Sequence, residues 1–149
     1  MSLPRFTLRV YGLLQHDHRL LVADELIKGH RITKFPGGGL EYGEGLKECL
    51  VREIREEVGL EALDLEHFYT TDFFQQSAFH TDPMQVVSVY YTFGVADPGG
   101  IPVVQEPFAG LAGPGDREVF RWVDLRTARV EDLTLPIDRV VMGMLLARR

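Results

Sequence analysis

Apolar residues recur at helical spacing in one stretch of the chain, between residues 45 and 58. Four of them form a single stripe at about 100° per residue: Leu46, Leu50, Ile54 and Val58. Gly45 opens the stretch, and Gly59 follows it where a left-handed cap is expected. The pattern predicts an amphipathic helix over about residues 45–58.

The other apolar residues predict strands and one further helix. Alternating or β-branched and aromatic runs occupy residues 5–14, 19–26, 28–35, 62–74, 85–96 and 117–125. A turn at Asp17 makes the first two runs a hairpin, and the 85–96 run predicts a central strand. The amphipathic segment 136–149 predicts a closing helix. The length suits one core and no repeat is present, so we expect one domain over residues 1–149.

Segment 97–115 fits no regular element, because it holds four of the eight prolines and five of the fifteen glycines. It also carries five apolar side chains: Ile101, Val103, Val104, Phe108 and Leu111. Exposed together they would form an apolar patch, so we expect the segment to form a homodimer interface or a wall of the active site. The alternative is that they fold back onto the core of their own subunit.

Composition narrows the functional class. Hydrophobic residues make up 45% of the chain, and no apolar run approaches membrane-spanning length, so we expect a soluble cytoplasmic protein. A net charge of -6 argues against a nucleic acid polymer as partner but allows a small anionic substrate. The single cysteine, Cys49, is expected to be a buried filler, with a reactive thiol as the alternative.

The glutamates of the 45–58 helix do not all lie on its polar side. Glu53, Glu56 and Glu57 fall within an arc of about 100°, and Glu57 lies on the apolar side. Arg52 can pair with Glu56 but cannot neutralise three converging carboxylates. Oxygen ligands without Cys or His suit Mg²⁺ or Mn²⁺, so the pattern predicts metal-assisted chemistry at phosphorus. The alternative is a solvated acidic helix face in a structural protein.

The spacing around this helix matches a known motif. Residues 38–60 fit G-x5-E-x7-R-E-U-x-E-E-x-G-U, where U is a bulky aliphatic residue. The fixed positions are Gly38, Glu44, Arg52, Glu53, Ile54, Glu56, Glu57, Gly59 and Leu60. In these residues the chain resembles the Nudix hydrolase family (MutT-like).

The resemblance implies a fold, a cofactor and a set of site residues. The fold would be α+β, with a mixed β-sheet sandwiched between helices, and the enzyme would hydrolyse a phosphoanhydride with Mg²⁺ or Mn²⁺. The metal ligands would be Gly38, through its carbonyl, Glu53, Glu56 and Glu57. Glu44 would orient the loop, and Arg52 would orient the carboxylates.

The expected reaction is attack of water on phosphorus, assisted by metal ions. Glu53 or Glu56 is a candidate for the base that accepts the proton of the water. In the family the base sometimes comes from a later loop, which leaves four further candidates: Asp97, Glu106, Asp116 and Glu118.

We expect the substrate to be a nucleoside diphosphate joined to another group, of the nucleotide sugar or ADP-ribose type. Segments 75–83 and 97–115 are long enough to contact this second group. Phe73, Phe74 and Phe79 could stack a nucleobase, but aromatic residues in or beside strands belong to the core far more often. The functional alternatives are a nucleoside triphosphate pyrophosphohydrolase and a non-catalytic nucleotide-sensing module.

Overall fold

The computed structural model describes residues 3–78, 81–111 and 117–148. These residues form seven strands and two α-helices, which confirms the predicted α+β class. The strands are β1 Arg5–His16, β2 Arg19–Ile27, β3 His30–Lys34, β4 Gly37–Gly39, β5 Leu63–Thr70, β6 Met84–Gly94 and β7 Arg117–Asp124. The helices are α1 Leu46–Glu57 and α2 Pro136–Leu146.

The chain divides into two compact units, each assembled from separate stretches of sequence. The first consists of Met1–Gly12 and Gly37–Ala96, and the second of Leu13–Pro36 and Asp97–Arg149. Strand β1 contributes its start to the first unit and its end to the second. A single domain over residues 1–149 stays a prediction.

In the first unit, β6 lies between β5 and the start of β1, which confirms it as a central strand. Strand β4 pairs antiparallel with β1, so that Gly38 lies opposite Val10. Helix α1 contacts β4 and buries three side chains, Cys49, Leu50 and Ile54. This packing brings Glu53 of α1 close to the backbone of β4.

In the second unit, β2 is the central strand. It pairs antiparallel with β7 over Arg19–Leu26 and with β3 over Ala23–Ile27. It also meets the end of β1 in the hairpin predicted around Asp17, which has a φ of 57°. The core of this unit contains four consecutive buried residues of β2 and the apolar face of α2: Leu20, Leu21, Val22, Ala23, Ile137, Val141, Met142 and Leu145.

A buried ion pair connects the strands of the second unit. Asp24 is 0% exposed and accepts hydrogen bonds from Nε and Nη2 of Arg121, at 2.6 and 3.1 Å. The same carboxylate accepts bonds from the hydroxyl of Thr33, at 2.7 Å, and from the N–H of Phe108, at 3.0 Å. These contacts join β2, β3 and β7 to the segment that follows β6, and sequence analysis did not identify them.

The described part of segment 97–115 packs onto the second unit. Ile101 is 4% exposed, and the other four apolar side chains are half-buried. The N–H of Val104 donates to the carbonyl of Phe120 at 2.8 Å. Within residues 97–111 these side chains are thus buried or half-buried, as expected for folding back onto the core, while a homodimer interface or an active-site wall stays a prediction. Residues 112–116 lie outside the described residues.

The structure differs from the sequence-based element bounds in two places. Gly37–Gly39, for which no strand was predicted, forms strand β4, because its bare backbone fits against β1. Strand β5 ends at Thr70 instead of residue 74, and Phe73 and Phe74 are 39% and 69% exposed instead of belonging to the core. Beyond them, Gln75 and Ser77 bond to the backbone at the start of β6, and Phe79 lies outside the described residues.

None of the helices in the described ranges has both the length and the apolar character required to cross a membrane.

Candidate active site

The acidic motif is held between strand β4 and helix α1. The helix begins after Gly45, whose N–H donates to the carboxylate of Glu48 at 3.0 Å. It ends before Val58, and Gly59 has a φ of 80° with its N–H directed at the carbonyls of Ile54 and Arg55. These are the local signals that predicted the helix, and its observed bounds lie within one residue of the expectation.

Glu53 lies directly against the backbone of β4. A Cβ atom placed on Gly38 would be 2.5 Å from Oε1 of Glu53 and 2.8 Å from Oε2. The carboxylate therefore occupies the space that any other residue at position 38 would fill with its side chain. Strand and helix bring together two of the four predicted metal ligands.

Arg52 makes more contacts in this region than the sequence indicated. Its Nη1 donates to Glu53 at 3.0 Å and to Glu56 at 3.2 Å, and lies 3.7 Å from a carboxylate oxygen of Glu41. Its Nη2 donates to the carbonyl of Gly39 at 3.1 Å. The predicted pairing with Glu56 is confirmed, and the guanidinium also holds Glu53 in place.

Glu44 connects the loop before α1 to this arginine. Its two oxygens accept bonds from Nε and Nη2 of Arg52, at 2.9 and 2.7 Å, and one also accepts the N–H of Glu41 at 2.9 Å. The bidentate Arg52 pair and the Glu41 N–H lower the pKa of Glu44 to about 2. The carboxylate is thus ionised at neutral pH and fixes the loop to the helix.

The donor chemistry fits a hard divalent cation. Glu53, Glu56 and Glu57 offer carboxylate oxygens, and Gly38 offers a backbone carbonyl, with no sulfur or imidazole among them. Within residues 3–78, 81–111 and 117–148, however, no three His, Cys, Asp or Glu side chains lie close enough together to hold a metal ion. A cation at these residues would therefore take further ligands from water and substrate phosphate, as Mg²⁺ commonly does.

Cys49 lies beside the same residues without the properties of a nucleophile. Its side chain is 0% exposed, and its thiol donates to the carbonyl of Gly39 at 3.5 Å. Burial, reinforced by the nearby carboxylate of Glu44, raises the pKa of Cys49 to about 12. The expectation of a buried filler is confirmed.

Sequence analysis missed a polar and aromatic group beside Gly39. Arg9 lies opposite Gly39 in the pairing of β1 with β4, and its Nη1 is 3.6 Å from where a Cβ on that glycine would lie. Its Nε donates to the hydroxyl of Tyr11 at 2.6 Å, and Tyr11 packs on Tyr90 with ring centroids 5.4 Å apart. The alternation of Arg9 and Tyr11 around buried Val10 is the signal that could have placed both on one face of β1.

The later candidates for the base belong to the second unit. Asp97 lies against Gly100, Glu106 is exposed, and Glu118 lies opposite Glu25 in the pairing of β7 with β2. Asp116 lies outside the described residues. The identity of the base stays a prediction.

Comparisons with known proteins agree with this geometry. The family model for the NUDIX domain matches residues 4–142. The NAD-capped RNA hydrolase NudC of Pseudomonas aeruginosa (strain LESB58) is 36% identical over 75 residues, 45% of this chain and 27% of that protein. The RNA pyrophosphohydrolase of Acinetobacter baylyi is 53% identical over 32 residues, 22% of this chain and 19% of that protein. The matches thus span about a quarter or less of each relative.

Solved structures are similar over most of the chain. A structure from work on MutT of Aliivibrio salmonicida and Vibrio cholerae superposes with a TM-score of 0.66 at 18% identity, covering 97% of this chain and 99% of that one. The MutT NUDIX hydrolase of Burkholderia pseudomallei gives 0.66 at 20% identity, covering 93% and 96%. At these identities the likeness shows the fold alone. Because the family match extends over residues 4–142, the chain belongs to the Nudix hydrolase family.

Proposed function

We propose that the chain is a Mg²⁺-dependent or Mn²⁺-dependent enzyme that cleaves the phosphoanhydride of a nucleoside diphosphate joined to another group, of the nucleotide sugar or ADP-ribose type. The observation that carries the proposal is the carboxylate of Glu53 lying against Gly38 and bonded to Arg52 at 3.0 Å. A buried apolar contact at this place would have served stability better, so the charge is best explained by a ligand. We propose that the enzyme works as one cytoplasmic domain over residues 1–149.

The carboxylates of Glu53, Glu56 and Glu57 and the carbonyl of Gly38 would hold the cation, and the three carboxylates would have to move closer together to do so. When bound, a divalent cation neutralises charge on the diphosphate and lowers the pKa of the attacking water. Arg52 holds Glu53 and Glu56 on one side of α1 through its Nη1.

Two further roles in the reaction fall to residues around the cation site. Glu44 keeps Arg52 in place by its bidentate contact. Glu53 or Glu56, or one of the carboxylates of the second unit, accepts the proton that the water loses on attack.

A second candidate is a dinucleotide or triphosphate substrate. The relatives named NAD-capped RNA hydrolase and RNA pyrophosphohydrolase favour a diphosphate between two nucleosides, or a 5′ polyphosphate, as alternatives. The net charge of -6 favours a small molecule over an RNA chain, because a polymer backbone would be repelled.

A substrate panel tests the proposal. Nucleotide sugars, ADP-ribose, NAD, nucleoside triphosphates and a capped RNA oligonucleotide are incubated with enzyme and Mg²⁺ or Mn²⁺, and the nucleotide products are separated. We expect fastest turnover of a nucleotide sugar or ADP-ribose, and none with chelator. Fastest turnover of a plain triphosphate would overturn the substrate class, and equal turnover with chelator would overturn the role of the metal.

Two single-residue variants test whether Glu53 and Glu57 bind the cation. Glu53→Gln and Glu57→Gln are expected to lower turnover by about 100-fold or more, because each removes a charge facing the cation. Glu48→Gln is the matched control on the same helix, since glutamine keeps the bond to the N–H of Gly45. Full metal-dependent activity in both test variants would contradict the assigned site.

A further inference from the structure

The second unit contains a surface pocket that no residue of the Nudix motif lines. Its volume is about 320 Å³, at the lower end of the range found for small-molecule sites, so it suits a ligand no larger than a mononucleotide. The walls come from β2, β7 and the segment after β6, and the main lining side chains are Arg19, Ile101, Val103, Val104, Gln105 and Trp122.

One wall of the pocket combines a cation with an aromatic ring. The guanidinium carbon of Arg19 lies 5.2 Å from the centroid of the Trp122 ring, a distance typical of a cation–π contact. Arg19 lies opposite Asp124 in the pairing of β2 with β7, but Asp124 is instead engaged by Nη2 and Nε of Arg126, at 2.9 and 3.1 Å. No ion pair of Arg19 occurs in the part of the chain that the structure describes, so its N–H groups are available to an anion.

Apolar side chains from the segment after β6 also line the pocket. Ile101 is 4% exposed, while Val103 and Val104 are half-buried. The bond from the N–H of Val104 to the carbonyl of Phe120 attaches this segment to β7. Gln105 adds an amide, and the described lining residues include no acidic side chain. The pocket therefore presents a cation and an amide beside an apolar surface, which together fit a ligand that combines an anionic group with a flat, weakly polar ring.

We propose that this pocket binds a nucleoside monophosphate, with the phosphate on Arg19 and the base against Val103, Val104 and the indole of Trp122. The choice of a nucleoside monophosphate rests on the proposed function, since cleavage of a nucleoside diphosphate derivative at its anhydride releases this class of product. The pocket gives the enzyme a product-binding site made of residues outside its motif.

Tryptophan fluorescence tests the pocket directly, because Trp122 is the only tryptophan in the chain. The protein is titrated with adenosine monophosphate in the presence of chelator, and separately with adenosine and with orthophosphate. We expect a saturable change with the nucleotide, and binding weaker by about tenfold or more with either part alone. Equal binding of orthophosphate would overturn the proposal in favour of a simple anion site, and no saturable change with the nucleotide would overturn it outright.

Variants separate the pocket from the rest of the surface. Arg19→Gln is expected to weaken nucleotide binding by about tenfold or more, and Gln105→Glu, at an exposed position, should do the same by repelling the phosphate. Arg129→Gln is the matched control, because it removes an exposed arginine of the same unit that does not line the pocket. Unchanged affinity in either test variant would contradict the assignment.

The fluorescence experiment does not depend on turnover. Adenosine monophosphate contains no anhydride for the enzyme to cleave, and chelator removes metal from the Nudix motif, so a negative result counts against the pocket alone. An inactive enzyme in the substrate panel counts against the proposed function alone.

Discussion

Three consecutive glycines in β4 do three different things at the scale of single residues. Gly37 has a φ of 147°, and a Cβ there would run into the carbonyl oxygen of Val10. At Gly38 the obstacle is the carboxylate of Glu53, which is the mobile end of a side chain. At Gly39 the nearest atom is Nη1 of Arg9, at an ordinary 3.6 Å. The same substitution to alanine should therefore have three distinct outcomes.

We expect Gly37→Ala to lose at least about 2 kcal/mol of unfolding free energy, because backbone strain and a backbone contact cannot be relieved. Gly38→Ala should keep its stability within about 1 kcal/mol and lose about tenfold or more in turnover, because Glu53 must move away from β4. Gly39→Ala serves as the control and should be close to wild type in both stability and turnover. Urea unfolding and a hydrolysis assay on all three measure this, and an active Gly38→Ala enzyme would show that the position of Glu53 is not critical.

At the scale of elements, the loop before α1 is attached to the helix by the ion pair of Glu44 with Arg52. The pKa of Glu44 is lowered from 4.5 to about 2 by this contact. A group whose pKa falls on folding stabilises the protein fully above its unfolded pKa, and loses that contribution as the pH falls through its folded pKa. The contact should thus be at full strength above about pH 5 and weaken toward pH 2.

We predict that Glu44→Gln lowers the melting temperature at pH 6, and that the difference from wild type shrinks as the pH is lowered toward 2. Thermal melts of both proteins across this range measure it. Glu61→Gln, which removes the exposed pair with Arg55, is the control and should show a smaller difference. A difference that is constant with pH would mean that the ionised carboxylate contributes nothing to the stability.

Local signals predicted the elements better than the contacts between them. The bounds of α1 and the hairpin at Asp17 follow from neighbouring residues, since caps and tight turns are set within a few positions. The motif spacing also indicated Glu53 and Gly38 as partners, through its resemblance to a family. Strand β4 was missed, because glycine has no side chain and so no alternating pattern. The pocket beside Trp122 was missed too, since Arg19 precedes the other lining residues by at least 80 positions in sequence.

At the scale of the whole molecule, metal binding should be visible as stability. The folded chain carries acidic residues on one helix, whereas the unfolded chain has no assembled site, so Mg²⁺ or Mn²⁺ should stabilise the folded state. A free metal concentration 100 times the dissociation constant would add about 2.7 kcal/mol to the free energy of unfolding. We expect the melting temperature to rise by several degrees, to fall again with chelator, and to be unaffected by metal in a Glu53→Gln/Glu57→Gln double variant. No shift in wild type, with or without nucleotide, would contradict the site.

The homodimer predicted from segment 97–115 is untested, and the described apolar side chains of the segment are buried or half-buried. Val103→Ser, Val104→Ser and Phe108→Ser in combination are therefore expected to lower the melting temperature and leave the sedimentation coefficient unchanged. A shift of the sedimentation profile from dimer to monomer, without loss of stability, would instead support the interface.

The buried pair of Asp24 with Arg121 constrains how this sequence can change over evolutionary time. Asp24 is 0% exposed, so removing either partner leaves a buried charge unpaired, at a cost of about 3–5 kcal/mol. Replacing both by apolar residues removes that charge but leaves the hydroxyl of Thr33 and the N–H of Phe108 without their acceptor. The two positions therefore cannot be substituted one at a time without a large penalty, because either single variant has lost much of its free energy of unfolding. Lineages that replace the pair must change both codons together or first acquire stability elsewhere, so the two residues should be inherited as a couple.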